Sequence, residues 1–263
     1  MIECVINISE GRDLDLVGEI ARVAGRDLLD VHCDPDHNRS VLTVIGATAP
    51  RAIIRAAVER LDLRSHSGVH PRIGVVDVVP FVPLTPSTFD EAVDSRDATA
   101  RWIAHDLQVP VFLYGRERTL PDIRRGAFTT LAPDLGPAEP HPTAGAVAVG
   151  ARKLMLAWNL WLSEPDLERA KAIATSIRGP GVRALGLQVG DQVQVSMNLI
   201  DPLNLGPAEV YDRVAASAAI DHAELVGLAP RAVLDAVDPD RWAQLDLAAE
   251  TTIESRLEQR QSR

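Results

Sequence analysis

The sequence predicts an α/β (α+β) chain made of two split-βαβ layers, and three observations lead there. Short apolar runs alternate with amphipathic stretches in the order strand, helix, strand, strand, helix, strand. That order recurs in the second half of the 263 residues. Turn-forming residues, 18 prolines and 17 glycines, separate the runs. The order is the ferredoxin-like pattern, an antiparallel sheet with helices on one face.

Residues 2–7 read as a buried strand, after which Ser9, Glu10 and Gly11 turn the chain. Asp13 caps a helix whose Leu16, Val17, Ile20 and Val23 line one face at helical spacing. Residues 27–33 and 40–45 are strands, joined by turn chemistry at Asp34, Pro35, Asp36, His37 and Asn38. Pro50 suits the first turn of a helix running to about residue 63, with Ile53, Ile54, Ala57, Val58 and Leu61 inward. A strand over 73–82 follows; Pro80 and Pro83 place its end at an edge or outside the ladder. A helix over 88–107 and a strand over 109–114 lead into a Pro/Gly-rich connection, 116–150.

The second half repeats the rhythm. Strand 153–162, helix 164–178 and strand 183–189 lead to a hairpin turn at Gly190 and Asp191, then strand 192–200. Pro207 opens a helix to about 220, residues 223–228 form a short strand, and Pro230 opens a last helix before a polar flank. The two layers are expected to be residues 1–163 and 164–263, leaving a cleft where small-molecule sites preferentially lie.

Composition narrows the function. Charged residues make up 24% and apolar ones 46%, as in ordinary globular chains. A net charge of -10 argues against a nucleic-acid partner. No apolar run reaches the ~18 residues of a membrane span and no signal segment opens the chain, so a soluble, cytoplasmic protein is expected. Cys4 and Cys33 read as core residues of a reducing compartment rather than a bridge. Of 27 basic residues only Lys153 and Lys171 are lysine, a bias that reflects codon usage more than chemistry.

The richest segment is His66, Ser67, Gly68, Val69, His70, Pro71, Arg72, Ile73 and Gly74. It puts two titratable rings and a guanidinium on a loop at the mouth of a buried strand, where catalytic groups concentrate. Pro71 holds His70 extended. A surface turn with incidental histidines is the alternative; a zinc site lacks a further ligand at matching spacing. Asp30, His32, Asp34, His37, Asn38 and Arg39 crowd a strand end, and Asn7 and Glu10 follow the first strand in the same way; a solvated turn with Asx capping is the leading reading of both. Gly145 to Lys153 combines small residues with Arg152 and Lys153, donors for carboxylate or phosphate, without P-loop spacing. Trp158 and Trp161 read as core or interface, and Gln194, Ser196 and Asn198 share one strand face.

Together these segments resemble the formiminotransferase (glutamate formimidoyltransferase) family. Glu3, Cys4, Val5 and Asn7 to Gly11 are similar to its ECVPNFSEG start, and Leu28 to Val31 with Asn38 to Val41 to its LLDVD and NRTV segments. Gly68 to Gly74 with Asp77 to Phe81 is close to GEHPRMGALDVCPF. Gly150 to Lys153 with Ala157 to Asn159, Gln194 to Leu199, and Glu224 to Leu228 extend the likeness over nearly the whole chain. The resemblance implies two ferredoxin-like subdomains and transfer of a formimino group from N-formimino-L-glutamate to N5 of tetrahydrofolate, the co-substrate, without a metal. It implies that His70 is the general acid and base. Arg72, Arg39, Asn7, Asn38, His32 and Glu10 would meet the substrate; Gly150, Arg152, Lys153, Asn159, Ser196 and Asn198 would meet folate. A homodimer is implied as well.

The chain departs from the family pattern where His32 replaces an acid, Ile6 a proline, and Thr143 and Ala144 a Ser-Trp pair. The likeness covers the transferase region alone, and no cyclodeaminase is expected. The alternatives are a folate-dependent formyl or formimino transferase on another amino acid, and a non-catalytic folate-binding module.

Overall fold

The structure is a computed structural model that describes residues 1–69 and 71–261. The chain forms two compact units, Met1–Lys153 and Leu154–Arg263.

The first unit is built on β1 (Ile2–Ile8), α1 (Leu14–Arg22), β2 (Leu28–Asp34), β3 (Arg39–Ile45), α2 (Ala49–Arg60) and β4 (Val76–Pro83). Then follow α3 (Phe89–Trp102), β5 (Val111–Tyr114), α4 (Leu120–Gly126) and β6 (Val147–Ala151). Its six-stranded sheet has the order β2-β3-β1-β4-β6-β5. The first four are antiparallel, while β6 runs parallel to both β4 and β5.

Alternation assigns the two sheet faces. Cys4, Ile6 and Ile8 of β1 pack with Val17 and Ile20 of α1, Ile53 and Ile54 of α2, and Ala92 and Val93 of α3. Val17 and Ile20 are fully buried, each contributing ~1.5–3 kcal/mol of apolar transfer. Asp13 caps α1, accepting from the Leu16 amide at 3.0 Å. Asp13→Ala is expected to destabilise the protein by about 1 kcal/mol in urea titration, and Asp13→Gly by only a few tenths. Beyond the helices' face, Val78, Phe112, Tyr114, Ile123, Ala146 and Ala148 form a second, smaller core under α4.

Two expectations are corrected. The strand carrying Pro80 does not end at an edge: β4 runs between β1 and β6. The β1–β4 ladder has a gap between the Cys4–Phe81 and Asn7–Val78 pairs, which is where Pro80 lacks its N–H. The 116–150 connection is also not irregular throughout, since it supplies α4 and the inner strand β6. Its Ala-, Val- and Gly-rich run is buried along β6, as such a parallel strand requires.

The second unit runs β7 (Leu156–Leu162), α5 (Leu167–Ile177), β8 (Val182–Val189), β9 (Gln192–Leu199), α6 (Pro207–Ala215) and β10 (Ile220–Leu225), then α7 (Arg231–Asp235) and α8 (Ile253–Gln261). The sheet order is β10-β7-β9-β8, all antiparallel. In both units the four strands of the repeat lie in the order fourth, first, third, second, the split-βαβ arrangement. The division falls between Lys153 and Leu154 rather than at 163, because β7 pairs with β9 and β10. Leu156, Trp158, Leu160, Val193, Val195 and Met197 face α5 and α6 in one core. The opposite face carries Asn159, Trp161, Gln194, Ser196 and Asn198. Among the described residues no helix is long and apolar enough to cross a membrane.

Candidate active site

Three loops of the first unit meet at one corner: the turn after β1, the β2–β3 turn, and the segment leading into β4. The Gly11 amide donates to Asn38 Oδ1 at 2.9 Å, and Asn38 Nδ2 donates to the Ser67 carbonyl at 3.0 Å. His66 Nε2 lies 2.8 Å from the Asn38 carbonyl, and the Ser9 hydroxyl donates to the Gly74 carbonyl at 2.8 Å. Asn38 sits at φ +49°, a conformation that asparagine tolerates better than most residues. Gly68 is required by close approach, since a Cβ there would lie 2.3 Å from the His37 carbonyl oxygen.

Two carboxylates organise the turns themselves. Glu10 Oε1 accepts from the amides of Gly11, Arg12 and Asp13 at 2.9, 2.8 and 2.9 Å. Asp34 Oδ1 accepts from the Asp36 and His37 amides, and Oδ2 meets His37 Nδ1 at 2.5 Å. Burial alone would raise the Asp34 pKa, but the bonds from His37 and Asp36 outweigh it and hold it below the usual range.

The corner is cationic. Arg39 opens β3 and donates to Asn7 Oδ1; Asn7 in turn donates to the Val5 carbonyl at 3.0 Å. Arg72 donates from Nη1 to His66 Nδ1 and from Nη2 to the Gly68 carbonyl at 2.5 Å. Arg124, at the end of α4, forms a two-pronged pair with Asp77, one arm at 2.6 Å. Asp77 is 2% exposed and also accepts from the Ile73 amide at 2.8 Å, so one carboxylate ties α4 to the loop that precedes β4. Burial brings Arg39 down to about 10, with Arg124 and Arg72 pushing the same way and Asp77 and Asp34 opposing. Arg72 is lowered by burial, with Arg124 and Arg12 pushing the same way and Asp77 opposing. Both remain cations at neutral pH, which suits the corner to a ligand with carboxylates.

The expected residues are therefore partly gathered. Asn7, Asn38, Arg39 and Arg72 belong to this corner, and Glu10 braces it through backbone amides. His32 lies in one row with Val41 and Asn7 across β2, β3 and β1. His70 lies outside the described residues. Arg124 and Asp77 complete the charge cluster. Nothing in the sequence pattern singles out Arg124 from the other arginines, and Asp77 stands out only as part of the motif before Pro80.

The residues expected at folate are spread over both units, and each is placed within its own. Gly150 is covered by the ring of Tyr114, whose atoms would come within 2.2 Å of a Cβ, so the planar group against this glycine belongs to the chain itself. Arg152 is lowered by burial and is balanced by Tyr114, Glu3 and Cys4; it donates to the Lys153 carbonyl at 3.1 Å. On the second sheet Asn159 Nδ2 and Trp161 Nε1 both donate to Glu224 Oε2, at 3.0 and 2.9 Å. Ser196 and Asn198 are half-buried on the same face.

Fold and site define a class: a doubled split-βαβ protein whose first sheet ends in a guanidinium-lined loop corner. Comparison with known proteins narrows it. Residues 1–152 match the formiminotransferase domain, N-terminal subdomain. The chain is 34% identical over 275 residues to the glutamate formimidoyltransferase of Streptococcus pyogenes serotype M1, covering 90% of this chain and 92% of that one. It is 35% identical over 272 residues to the glutamate formimidoyltransferase of Thermoplasma acidophilum, covering 89% of each. With the formimidoyltransferase-cyclodeaminase of Sus scrofa it shares 34% over 281 residues, which is 51% of that longer protein. The chain belongs to the formiminotransferase family, and it is a transferase.

Proposed function

We propose that the protein transfers the formimino group of N-formimino-L-glutamate to N5 of tetrahydrofolate, giving 5-formiminotetrahydrofolate and glutamate. The observation that carries this reading is the cluster of Arg39, Arg72 and Arg124 around Asp77, at the loop that contains His70 in sequence. A glutamate derivative brings two carboxylates, and half-buried, pre-oriented guanidiniums bind such groups with little reorganisation. Arg39 and Arg72 are assigned to them, with Asn7 and Asn38 holding the loops in register.

The reaction needs one proton moved twice. N5 adds to the amidine carbon, and His70 takes the N5 proton as the bond forms. The tetrahedral adduct then collapses: the bond from carbon to the glutamate nitrogen breaks, and His70 returns a proton to that leaving amine. Atoms and charge balance with no external reactant. A positioned imidazole supplies such a step near neutrality. His32 stands where the family carries an acid, so the cationic adduct forms here without that extra negative charge.

For tetrahydrofolate we assign contacts to Arg152 and Lys153, within the first unit; Ser196 and Asn198 are half-buried on one face of the second unit's own sheet. Gly150 and Asn159 then act through packing on Tyr114 and bonding to Glu224. A cytoplasmic homodimer is part of the same reading, supported by two free cysteines and by family resemblance.

Incubating the protein with both substrates and then acidifying should convert the product to the methenyl chromophore. N-formyl-L-glutamate and N-formimino-L-aspartate, offered instead, should give far less. Absence of the chromophore with formiminoglutamate would overturn the reading. A stronger signal from either substitute would reassign the donor.

A further inference from the structure

We propose that His66 is a positioning residue: a neutral imidazole that accepts from Arg72 and so fixes the guanidinium that meets the substrate's carboxylate. The inference rests on the proposed function for the identity of the ligand, and on geometry for everything else.

A guanidinium only donates and a backbone carbonyl only accepts. The two neighbours of the His66 ring therefore dictate its state. Nε2, 2.8 Å from the Asn38 carbonyl, must carry the hydrogen. Nδ1, which receives Arg72 Nη1, must be bare. The ring is thus a rigid spacer with a donor at one end and an acceptor at the other. It transmits the position of Asn38, itself locked by Gly11 and Ser67, to Arg72. The Gly68 carbonyl holds the other arm of Arg72, so the fork is gripped on two sides. An arginine otherwise loses rotamer freedom on binding, and this grip removes that freedom beforehand.

Protonation would destroy the arrangement, because the Nδ1 hydrogen would point at a cation. The charged groups facing His66 are Arg72 and Arg12, which oppose protonation, and Glu10, which favours it; burial and Arg72 together hold the ring below its ordinary pKa.

The test is a set of substitutions read by KM and kcat, with a spectroscopic check on the wild type. His66→Ala should raise KM for formiminoglutamate by about tenfold to a hundredfold, the worth of a hydrogen bond to a charged group, while kcat changes less than about threefold. His66→Asn, whose Oδ1 takes the place of Nδ1, should restore most of the affinity. His66→Gln, which reaches only the Nε2 position, should not. The wild-type KM should rise as pH falls below the usual imidazole range, and this limb should vanish in His66→Asn. Nitrogen-15 spectra of the ring at neutral pH should show Nε2 protonated and Nδ1 bare. A His66→Ala variant with unchanged KM, equal rescue by Asn and Gln, or a ring protonated at Nδ1 would each overturn the proposal. If the wild type transfers nothing from formiminoglutamate, the assigned reaction falls, while the spectra still decide whether the ring positions Arg72.

Discussion

Replacing His70 by alanine is expected to lower kcat for formimino transfer by ~10²–10⁴-fold, the usual contribution of one general acid–base group. The reasoning is chemical. At neutral pH the N5 nitrogen must shed a proton to become a stable amidine, and an amide-like glutamate anion is too poor a leaving group to depart unprotonated. Solvent water can serve both steps only slowly. KM for formiminoglutamate should change little, because binding is assigned to Arg39 and Arg72. His70→Asn should be as slow as alanine, since it preserves size and polarity and lacks the proton exchange. Stopped-flow measurement of the acid-quenched product gives kcat directly. An alanine variant within about threefold of wild type would remove His70 from the reaction.

The largest effect on stability is expected at Asp77. Its carboxylate is buried, receives both arms of Arg124 and accepts the Ile73 amide. Asp77→Ala would strand a largely buried guanidinium and an amide together, and should lower the unfolding free energy by about 3–5 kcal/mol. The pair itself is not worth that much: desolvating two charges offsets most of their attraction. The double variant Asp77→Leu with Arg124→Met should therefore recover a large part of the loss in urea titration. If the double variant is no more stable than Asp77→Ala, the loss arises from the Ile73 amide and the loop, not from the orphaned charge. The double variant should still be a poor enzyme, because Arg124 contributes to the field around Arg39 and Arg72.

The sequence shows much of this frame and hides particular parts of it. Amphipathic spacing from Leu16 to Ile20, the cap at Asp13 and the prolines at Pro50 and Pro207 locate helices, since each reports a local physical requirement. Val23, expected on the same apolar face, instead caps the helix end and is exposed. Strand β4 is misread because Pro80 is judged by a local rule, whereas the gap opposite it in β1 is a tertiary accommodation. Strand β6 is hidden for the opposite reason: a short parallel strand buried on both sides has no alternation to display. In the site, the loop from His66 to Gly74 and the turn ending in Arg39 are legible as concentrations of chemistry. Their meeting is not, because it depends on Asn38 adopting a positive φ and on Gly68 tolerating the His37 carbonyl. Arg124 is invisible among so many arginines until α4 is seen to carry it to Asp77. Gly150 shows the reverse error, for its lack of a side chain serves Tyr114 and needs no ligand to explain it.

The central claim is that one carbon leaves the glutamate nitrogen and arrives on a folate nitrogen in a single active site. Formiminoglutamate labelled with carbon-13 at the formimino carbon, mixed with tetrahydrofolate and the protein, tests it directly by carbon-13 spectroscopy. The labelled resonance should shift from the donor to the folate product at the rate unlabelled glutamate appears, and should do neither when Arg72 is replaced by alanine at substrate levels near the wild-type KM. A label that stays on the donor, or emerges as formamide or formate with folate unchanged, would contradict the account.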